Sequence, residues 1–494
     1  MFKSRAVPIH HSLHIDGAKD ELASALDVYA TQIDTGTRPA AAYEGRDFFE
    51  TNRFSRDTGA SWDEVTAGAV TGKPFQTMVV AAADAISSTG ADYTCDGTDD
   101  QVQINAAITA LGATGGIVHL TEGTFYITAH IDLATNTILE GSGPATILKI
   151  PTGNASTFDM IENSNQSVGN TYLTIRKLTL DGNRANVSGT NKAIDFARVG
   201  QSWIEDCVLQ NFSGDTIYLT SGSGTSCTET WICNNYFYNG AADFIEIAAA
   251  CTILFIQNNH FNTADKGINI SNASALKINI TGNVFDNIVT YGVEDNGADY
   301  CVISENIFTG AATCAAMYIY NTTEYSCIND NIVTGCLYGI KGVLQLCTVC
   351  GNQIEVVANG YGMYLYPTAY CTFIGNTLVG TAGCIGFYLR TCIDSVFANN
   401  LILNNATSGI YMFSGCHRNI FMANVGYGNG EGIRAVSDSE DLSIIGNNFQ
   451  GTNISADDDT SANPIIQGNI ANVIGDLWAT PMIAADGTDN NKAT

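Results

Sequence analysis

Along most of this chain, short runs of alternating apolar and polar residues are broken every few positions by Gly, Asn, Asp, Ser or Thr. Alternation with period two is the signature of a strand with one face buried, and the breakers are turn formers. From residue 235 onward the runs recur on a fixed beat. An Asn returns in nearly the same setting at Asn235, Asn259, Asn283, Asn306, Asn331, Asn352, Asn376, Asn400, Asn424, Asn447 and Asn469. Most lie in a phrase of the form apolar-x-(Gly/Asn/Glu/Asp)-Asn-x-apolar, as in I-T-G-N-V-F at 280–285 and I-S-E-N-I-F at 303–308. Such a period means one supersecondary unit stacked on copies of itself. No stretch of the repeat holds apolar residues at helical spacing over the roughly 10 residues a helix needs, and the L-x-x-L-x-L phrase of leucine-rich repeats is missing. Three short strands and three turns per unit describe a parallel β-helix of about 24 residues per coil, each coil rising about 4.8 Å.

The repeating Asn is expected at a corner, where it tolerates left-handed backbone and its amide can hydrogen-bond to the next copy along the axis. It reads as a turn and ladder residue rather than a ligand. A second register, Gly-apolar-x-apolar, recurs at Gly267, Gly292, Gly339, Gly362, Gly386, Gly409 and Gly432, with Ala316 in the missing place. Its apolar neighbours (Ile268, Val293, Met363, Phe387, Ile410, Ile433) should face the core and the next residue should face outward. Pro367 is the lone proline between 152 and 463, as central strands require.

Two segments depart from the repeat. Residues 1–75 form a candidate attachment segment or cap, with an apolar stripe at Leu22, Leu26, Tyr29 and Ile33 that predicts a short helix and a hairpin signal around Asp57-Thr58-Gly59 within 43–65. Residues 76–475 form the β-helix domain, whose first part, 76–150, supplies the cap and the opening coils; 476–494 is a tail. Thr98-Asp99-Asp100-Gln101 has the form of a capping box and opens a helix with Ile104, Ile108 and Leu111 on one face, suited to plug the open end of the first coil.

The phrases D-Y-T-C-D-G-T-D-D-Q-V-Q-I-N-A-A-I at 92–108, G-G-I-V-H-L-T-E-G-T-F-Y-I at 115–127 and I-L-E-G-S-G at 138–143 resemble the start of pectate-lyase-like right-handed parallel β-helix proteins. The likeness runs over roughly 80–470 and is greatest to the tail spikes and fibres of bacteriophages; 43–65 resembles the short segments that precede such domains. The resemblance implies an all-β, right-handed, single-stranded β-helix with an N-terminal capping helix, a homotrimer, attachment to other virion or tail proteins through residues 1–75, and binding or degradation of host surface polysaccharide. The pectin-degrading phrases Gly-His-Gly and Arg-Ile-Lys are absent, so a pectinase is disfavoured, and fold alone transfers no activity.

Charge and cysteine content refine this picture. The net charge is −28, of which residues 1–75 contribute −3 and the rest −25. Such acidity argues against nucleic acid and suits partners that are neutral, basic or bridged by cations. The fifteen cysteines include Cys227 and Cys251, Cys347 and Cys371, and Cys392 and Cys416, each pair one period apart, where a small apolar residue fits stacked coils. Their odd number, and a start at Met1-Phe2-Lys3-Ser4-Arg5 that leads into no apolar stretch, suggest folding in a reducing cytoplasm; the resemblance implies that this is a host's, before assembly into a virion. No run of 18 apolar residues is present, so membrane insertion is not expected.

Candidate chemistry lies on the outward positions of the Gly-apolar-x-apolar strand: Asp195, Tyr218, Glu246, Asn269, Glu294, Tyr318, Lys341, Tyr364, Tyr388, Tyr411 and Arg434, with Tyr320, Tyr366, Arg390 and Phe413 two residues further on. Tyr318, Tyr320, Tyr364, Tyr366, Tyr388, Tyr411 and Arg390 are the candidate glycan contacts, because tyrosine offers a flat apolar ring and a hydroxyl together. The same face could instead be a subunit interface or a stack that only stabilises neighbouring strands. Glu246 and Glu294, two coils and nearly 10 Å apart, suit the acid and base of an inverting glycosidase, with Asp295 a third catalytic candidate, and Asp295 and Asp243 near enough in sequence to raise a pKa; the insertion Ser221-Gly222-Ser223-Gly224-Thr225 could wall that site. The bland alternative is solvated surface. Asp457, Asp458 and Asp459 form an acidic turn rather than the Ca²⁺ site their oxygens could make. His10, His11 and His14 lack matching ligands, so no cofactor or metal is expected. Three functions follow: a virion spike or fibre that binds a glycan, a tail-spike depolymerase acting as an inverting hydrolase or a lyase, or a non-phage surface or secreted β-helix protein.

Overall fold

A computed structural model describes residues 44–50, 53–58, 62–65, 76–221, 227–456 and 465–475. The chain divides into two units, Met1–Gln76 and Thr77–Thr494. In the first, strands Glu44–Glu50, Arg53–Thr58 and Trp62–Val65 pair antiparallel, with Phe49 opposite Phe54 and Asp57 opposite Trp62. The hairpin expected here is therefore a three-stranded meander. The helix expected around Leu22–Ile33, the histidines at 10, 11 and 14, residues 222–225 of the insertion, the triplet Asp457–Asp459 and the tail after 475 lie outside the described residues.

The second unit is an all-β parallel solenoid of about 14 turns of about 24 residues. Each coil lays down three strand segments and turns a corner between them. In one rung these are Thr228–Cys233, Tyr236–Tyr238 and Asp243–Ile247; we call the sides they form the first, second and third faces. Each pairs parallel and in register with its counterpart one coil on: Trp231 with Phe255, Phe237 with Phe261, Glu246 with Asn269.

The corner between first and second faces explains the repeating Asn. Its side chain points into the rod, where Asn283, Asn306, Asn331, Asn352, Asn376 and Asn424 are completely buried. The Oδ1 of Asn331 accepts from the amide N and the Nδ2 of Asn306, both at 3.0 Å, while its own Nδ2 donates to Ile303 O at 2.9 Å and Asn352 Oδ1 at 2.9 Å. The same links run unbroken from Asn235 to Asn469. The left-handed residue, however, is not this Asn but the one before it: Asn234, Asn258, Gly282, Glu305, Asp330, Gly351, Gly375, Asn399, Ala423, Gly446 and Gly468 all have φ between 54° and 70°. The two tasks assigned to one Asn are thus split between neighbours: position n−1 bends the chain and position n satisfies the buried backbone polar groups that the bend exposes.

Stacked rings fill the interior. Phe237, Phe261, Phe285 and Phe308 follow one another at 4.7, 4.9 and 4.5 Å, and Phe373, Phe397 and Phe421 at 4.6 and 4.9 Å. The glycine register follows from this packing. A Cβ on Gly267 would lie 2.5 Å from the Phe285 ring and 2.5 Å from Gly292 O, so a side chain there would split the rungs. All fifteen cysteines are free thiols, most of them buried, and Cys227 and Cys251 occupy equivalent places beneath the paired Thr228 and Thr252.

The helix Gln101–Leu111 turns Ile104, Ala107, Ile108 and Leu111 inward and closes the first coil. The expected capping box does not form. The carboxylate of Asp100 instead accepts from Gly97 N at 3.0 Å and Tyr126 N at 2.7 Å, and Gln101 bonds Thr128 through both ends of its amide. These polar groups fasten the helix to the coil above it rather than capping its own amides.

Two substitutions separate the corner's roles. Asn331→Ala strands two buried donors of Asn306 and should destabilise the fold by roughly 2–5 kcal/mol. Ala423→Gly, at an exposed bend with φ 54°, should stabilise it by up to about 1 kcal/mol, because glycine tolerates left-handed backbone. Thermal melts of both variants check the pair of signs.

Candidate functional site

Most strands of the third face break the alternation at their start. In Asp243–Ile247 both Phe244 and Ile245 are buried, and in His260–Ile270 both Gly267 and Ile268 are buried. Two consecutive inward residues, a local irregularity of the kind a bulge makes, leave outward positions three apart rather than two. The face therefore carries two rows. One is the row read from the sequence, in which Tyr218, Glu246, Asn269, Glu294, Tyr318 and Lys341 are consecutive partners. The other includes Asp159, Lys192, Asp243, Lys266, Tyr291, Tyr338 and Tyr361, with Asp215 at the place equivalent to Asp243. A strict period-two reading assigns this second row to the core and so misses it. Its signal is present, since charged or aromatic residues recur three positions ahead of the first row.

In the lower rungs the two rows interlock through charge. The ammonium of Lys192 lies 2.7 Å from Asp195 and 3.3 Å from Asp159, and 4.2 Å above the Tyr218 ring. Lys266 lies 2.9 Å from Glu294 and 3.5 Å from Asp243. Between these two lysines the carboxyl oxygens of Asp215, Asp243 and Glu246 lie within 4.8 Å of one another. Asn269 Nδ2 donates to Asp243 at 2.8 Å and Ser271 Oγ to Glu246 at 2.9 Å. Burial, and then the charge of the nearby Glu246, push Asp215 up to about 6. Burial likewise raises Asp243, against the opposing pull of Asn269 and Lys266. Burial also pushes Asp195 up to about 6. A carboxyl such as Asp215, raised toward neutrality and set among other carboxyls, can exchange a proton with a ligand on the face.

Glu246 and Glu294 both face outward, two rungs apart with Asn269 between them. Lys266 neutralises Glu294, and the carboxyls within 4.8 Å of Glu246 are Asp243 and Asp215, the second of which the sequence does not single out. Asp295 is elsewhere. It is 1% exposed, and its Oδ1 accepts from Gly297 N at 3.0 Å and Ala298 N at 2.8 Å while Oδ2 accepts from Thr323 Oγ1 at 2.8 Å. It holds a corner from inside and cannot touch a ligand on the face, so the catalytic role expected for it is withdrawn.

In the upper rungs the rows become aromatic. Tyr364 and Tyr388 stack at 4.6 Å with planes 2° apart, Tyr338 and Tyr361 at 5.3 Å and 5°, and Tyr361 stands edge-on to Tyr364 and Tyr388. Ring faces are therefore largely spent on each other, and edges and hydroxyls are what the face presents. Tyr320 and Tyr366 stand further out, 59% and 42% exposed, with the Arg390 guanidinium 4.5 Å above the Tyr366 ring. Tyr411 lies edge-on to Tyr388 at 5.6 Å and under Arg434 at 5.3 Å, and Tyr318 packs against Tyr291 at 4.7 Å.

With the coil, the cap and the face established, comparison with known proteins places the chain. Residues 86–341 match the family described as rhamnogalacturonase A/epimerase, pectate lyase-like, and 266–449 match a right-handed β-helix region. The first match spans just over half of the sequence, and the chain belongs to that pectate lyase-like family. No curated protein matches it in sequence. Among solved structures, a tailspike protein mutant of E. coli bacteriophage HK620 in complex with pentasaccharide aligns with TM-score 0.53 at 14% identity, covering 78% of this chain and 82% of that one. A second HK620 tailspike mutant, also with pentasaccharide, gives 0.52 at 12% over the same shares. The pre-mature gene product 12 of bacteriophage phi29 gives 0.50 at 16%, covering 76% of this chain and 54% of that one. At these identities the likeness is one of fold. No helix among the described residues is long and apolar enough to cross a membrane.

The inward assignment of Asp295 has a measurable consequence. Burial pushes its pKa up to about 6, above the unfolded value, so its contribution to stability is present below about pH 4 and lost as pH rises through about 6. Asn fits the same contacts, its Oδ1 accepting the two amides and its Nδ2 facing Thr323. Asp295→Asn should leave the melting temperature unchanged at pH 4 and raise it at pH 8, by at most about 3 kcal/mol of stability. A melt series across pH reads both limbs.

Proposed function

We propose that this chain is a virion-attached spike or fibre protein whose β-helix binds a host cell-surface polysaccharide along the third face. Residues 1–75 serve as the attachment segment to other virion or tail proteins, and the spike is a homotrimer. One observation carries the binding reading: the outward groups of the third face run in register from Asp195 to Arg434, adding hydrogen-bonding groups or tyrosines at each rung. A rung of about 4.8 Å is close to the length of one sugar in an extended chain, so a polysaccharide laid along the axis meets a new set of contacts at each residue. The tailspike neighbours solved with pentasaccharide support this reading through their shared fold.

A second reading rests on the lower rungs. The Asp215 and Glu246 carboxyls, within 4.8 Å of one another, offer an acid and a base, and on this reading the spike is a depolymerase rather than an adhesin. In that case a protonated Asp215 is the acid, and cleavage declines as pH rises through about 6.

Incubating the full chain with host capsule or lipopolysaccharide, and reading both retention and new reducing or unsaturated ends, separates the two. Retention without new ends is the outcome for an adhesin; ends that vanish in Asp215→Asn and Glu246→Gln while retention persists establish the depolymerase. Tyr320→Ala with Tyr366→Ala should weaken retention about tenfold, by removing two exposed ring contacts. Retention that is unchanged in this variant contradicts the assignment of the face.

A further inference from the structure

We infer that the polysaccharide bound on the third face is anionic, its acid groups held by Lys341 and Arg390. This rests on the reading of that face as a polysaccharide site and adds the chemical class of the ligand.

The net charge of −28 points the other way, toward neutral or basic partners, but the sum hides the distribution. From the rung of Tyr318 to that of Tyr411, five consecutive rungs and about 19 Å along the axis, the outward rows contain no Asp or Glu. They do contain two cations. Lower on the same face each lysine is clamped between two carboxylates. Lys341 and Arg390 make no ion pair among the described residues. Their charges rest on aromatic rings, Lys341 Nζ 4.6 Å from the centre of Tyr318 and 5.0 Å from Tyr338, Arg390 4.5 Å from Tyr366 and 5.8 Å from Phe413. A ring face positions a cation without neutralising it, so both retain their charge for a ligand. In a chain with 49 acidic side chains, a stretch that leaves its only two outward cations unpaired is an anion site by composition.

The surrounding groups agree. The phenol of Tyr388 is pushed up to about 12 by burial and by its tyrosine neighbours, and Tyr338 and Tyr361 are raised by burial. These hydroxyls stay protonated and can donate. The nearest carboxylate of the rows below, Glu294, lies two rungs and about 10 Å beneath Lys341 and is already paired with Lys266. The Asp215–Glu246 cluster is two rungs further. Physiological salt screens charge beyond about 8 Å, so the acidic lower rungs do not cancel the upper cations. Lys341 and Arg390 are themselves two rungs apart, which matches acid groups on every second sugar of a chain lying along the axis.

The test is a panel of bacterial capsular and O-antigen polysaccharides sorted into neutral and acidic members, the acidic set including both carboxylate and phosphate bearers, with the full-length chain as probe. Binding is expected to acidic members, and the carboxylate and phosphate arms tell which group is read. Lys341→Gln and Arg390→Gln should each weaken the best binder roughly tenfold, the scale of one charge-assisted hydrogen bond, whereas Lys341→Arg should retain it. Raising NaCl from 50 to 500 mM should weaken the unmodified chain and leave the double Gln variant little changed. Unaltered melting temperatures show that the variants remain folded. If the bound members are neutral, or if neither cation matters, the anionic assignment fails while the polysaccharide reading stands. If no member binds, the polysaccharide reading itself fails and this inference goes with it.

Discussion

The structure depends on one arrangement: a column of buried asparagine side chains that links each coil to the next. Every corner between the first and second faces turns backbone amides and carbonyls toward an interior filled by stacked rings. An unpaired buried amide costs as much as a lost hydrogen bond or more. The Asn side chain is the right length to accept from one rung and donate to another, and it does so from Asn235 to Asn469. Because each link involves two rungs, no coil can slip by a residue without stranding donors on both sides. Register on the outer faces follows from this inner column. Glu246 stands above Tyr218 and below Asn269 because Asn235 and Asn259 are bonded.

The architecture was legible because a fixed circumference forces a fixed period. The ladder, the glycine register and the outward row of the third face all follow from it, and the structure agrees with each. What the period could not resolve is local. The bend and the ladder were both assigned to one Asn, but a left-handed φ and an inward, two-rung hydrogen bond make different demands, and Asn234 and Asn235 divide them. Thr98 to Gln101 reads as a local capping box; the Asp100 carboxylate within it is used by Tyr126, 26 residues away, and a contact of that range leaves no trace in a four-residue motif. The second outward row was hidden by the irregularity that makes it, since two consecutive inward residues shift the parity on which the reading relied. Asp295, by contrast, obeys the plain alternation: beside an outward Glu294 it must turn inward.

The site illustrates how position on a ladder sets chemistry. Side chains that are distant in sequence, such as Asp215, Asp243 and Glu246, meet because two rungs place them together, and burial then raises the first two above the usual carboxylate range. The same axial repeat that builds this acidic patch builds an aromatic, cationic stretch above it. A net charge of −28 therefore describes the molecule but not its faces. Along one side the chain offers proton exchange below and hydrogen-bond donation above, within a length that an extended glycan can span.

The column's role in coupling the coils is tested most directly by hydrogen exchange of the full chain, followed peptide by peptide, in the parent and in the Asn331→Ala variant. If the amide column joins rung to rung, exchange should quicken in the peptides of both neighbours, those containing Asn306 and Asn352, and least in rungs remote from the substitution. Faster exchange confined to the substituted rung, or spread evenly along the rod, would contradict the account.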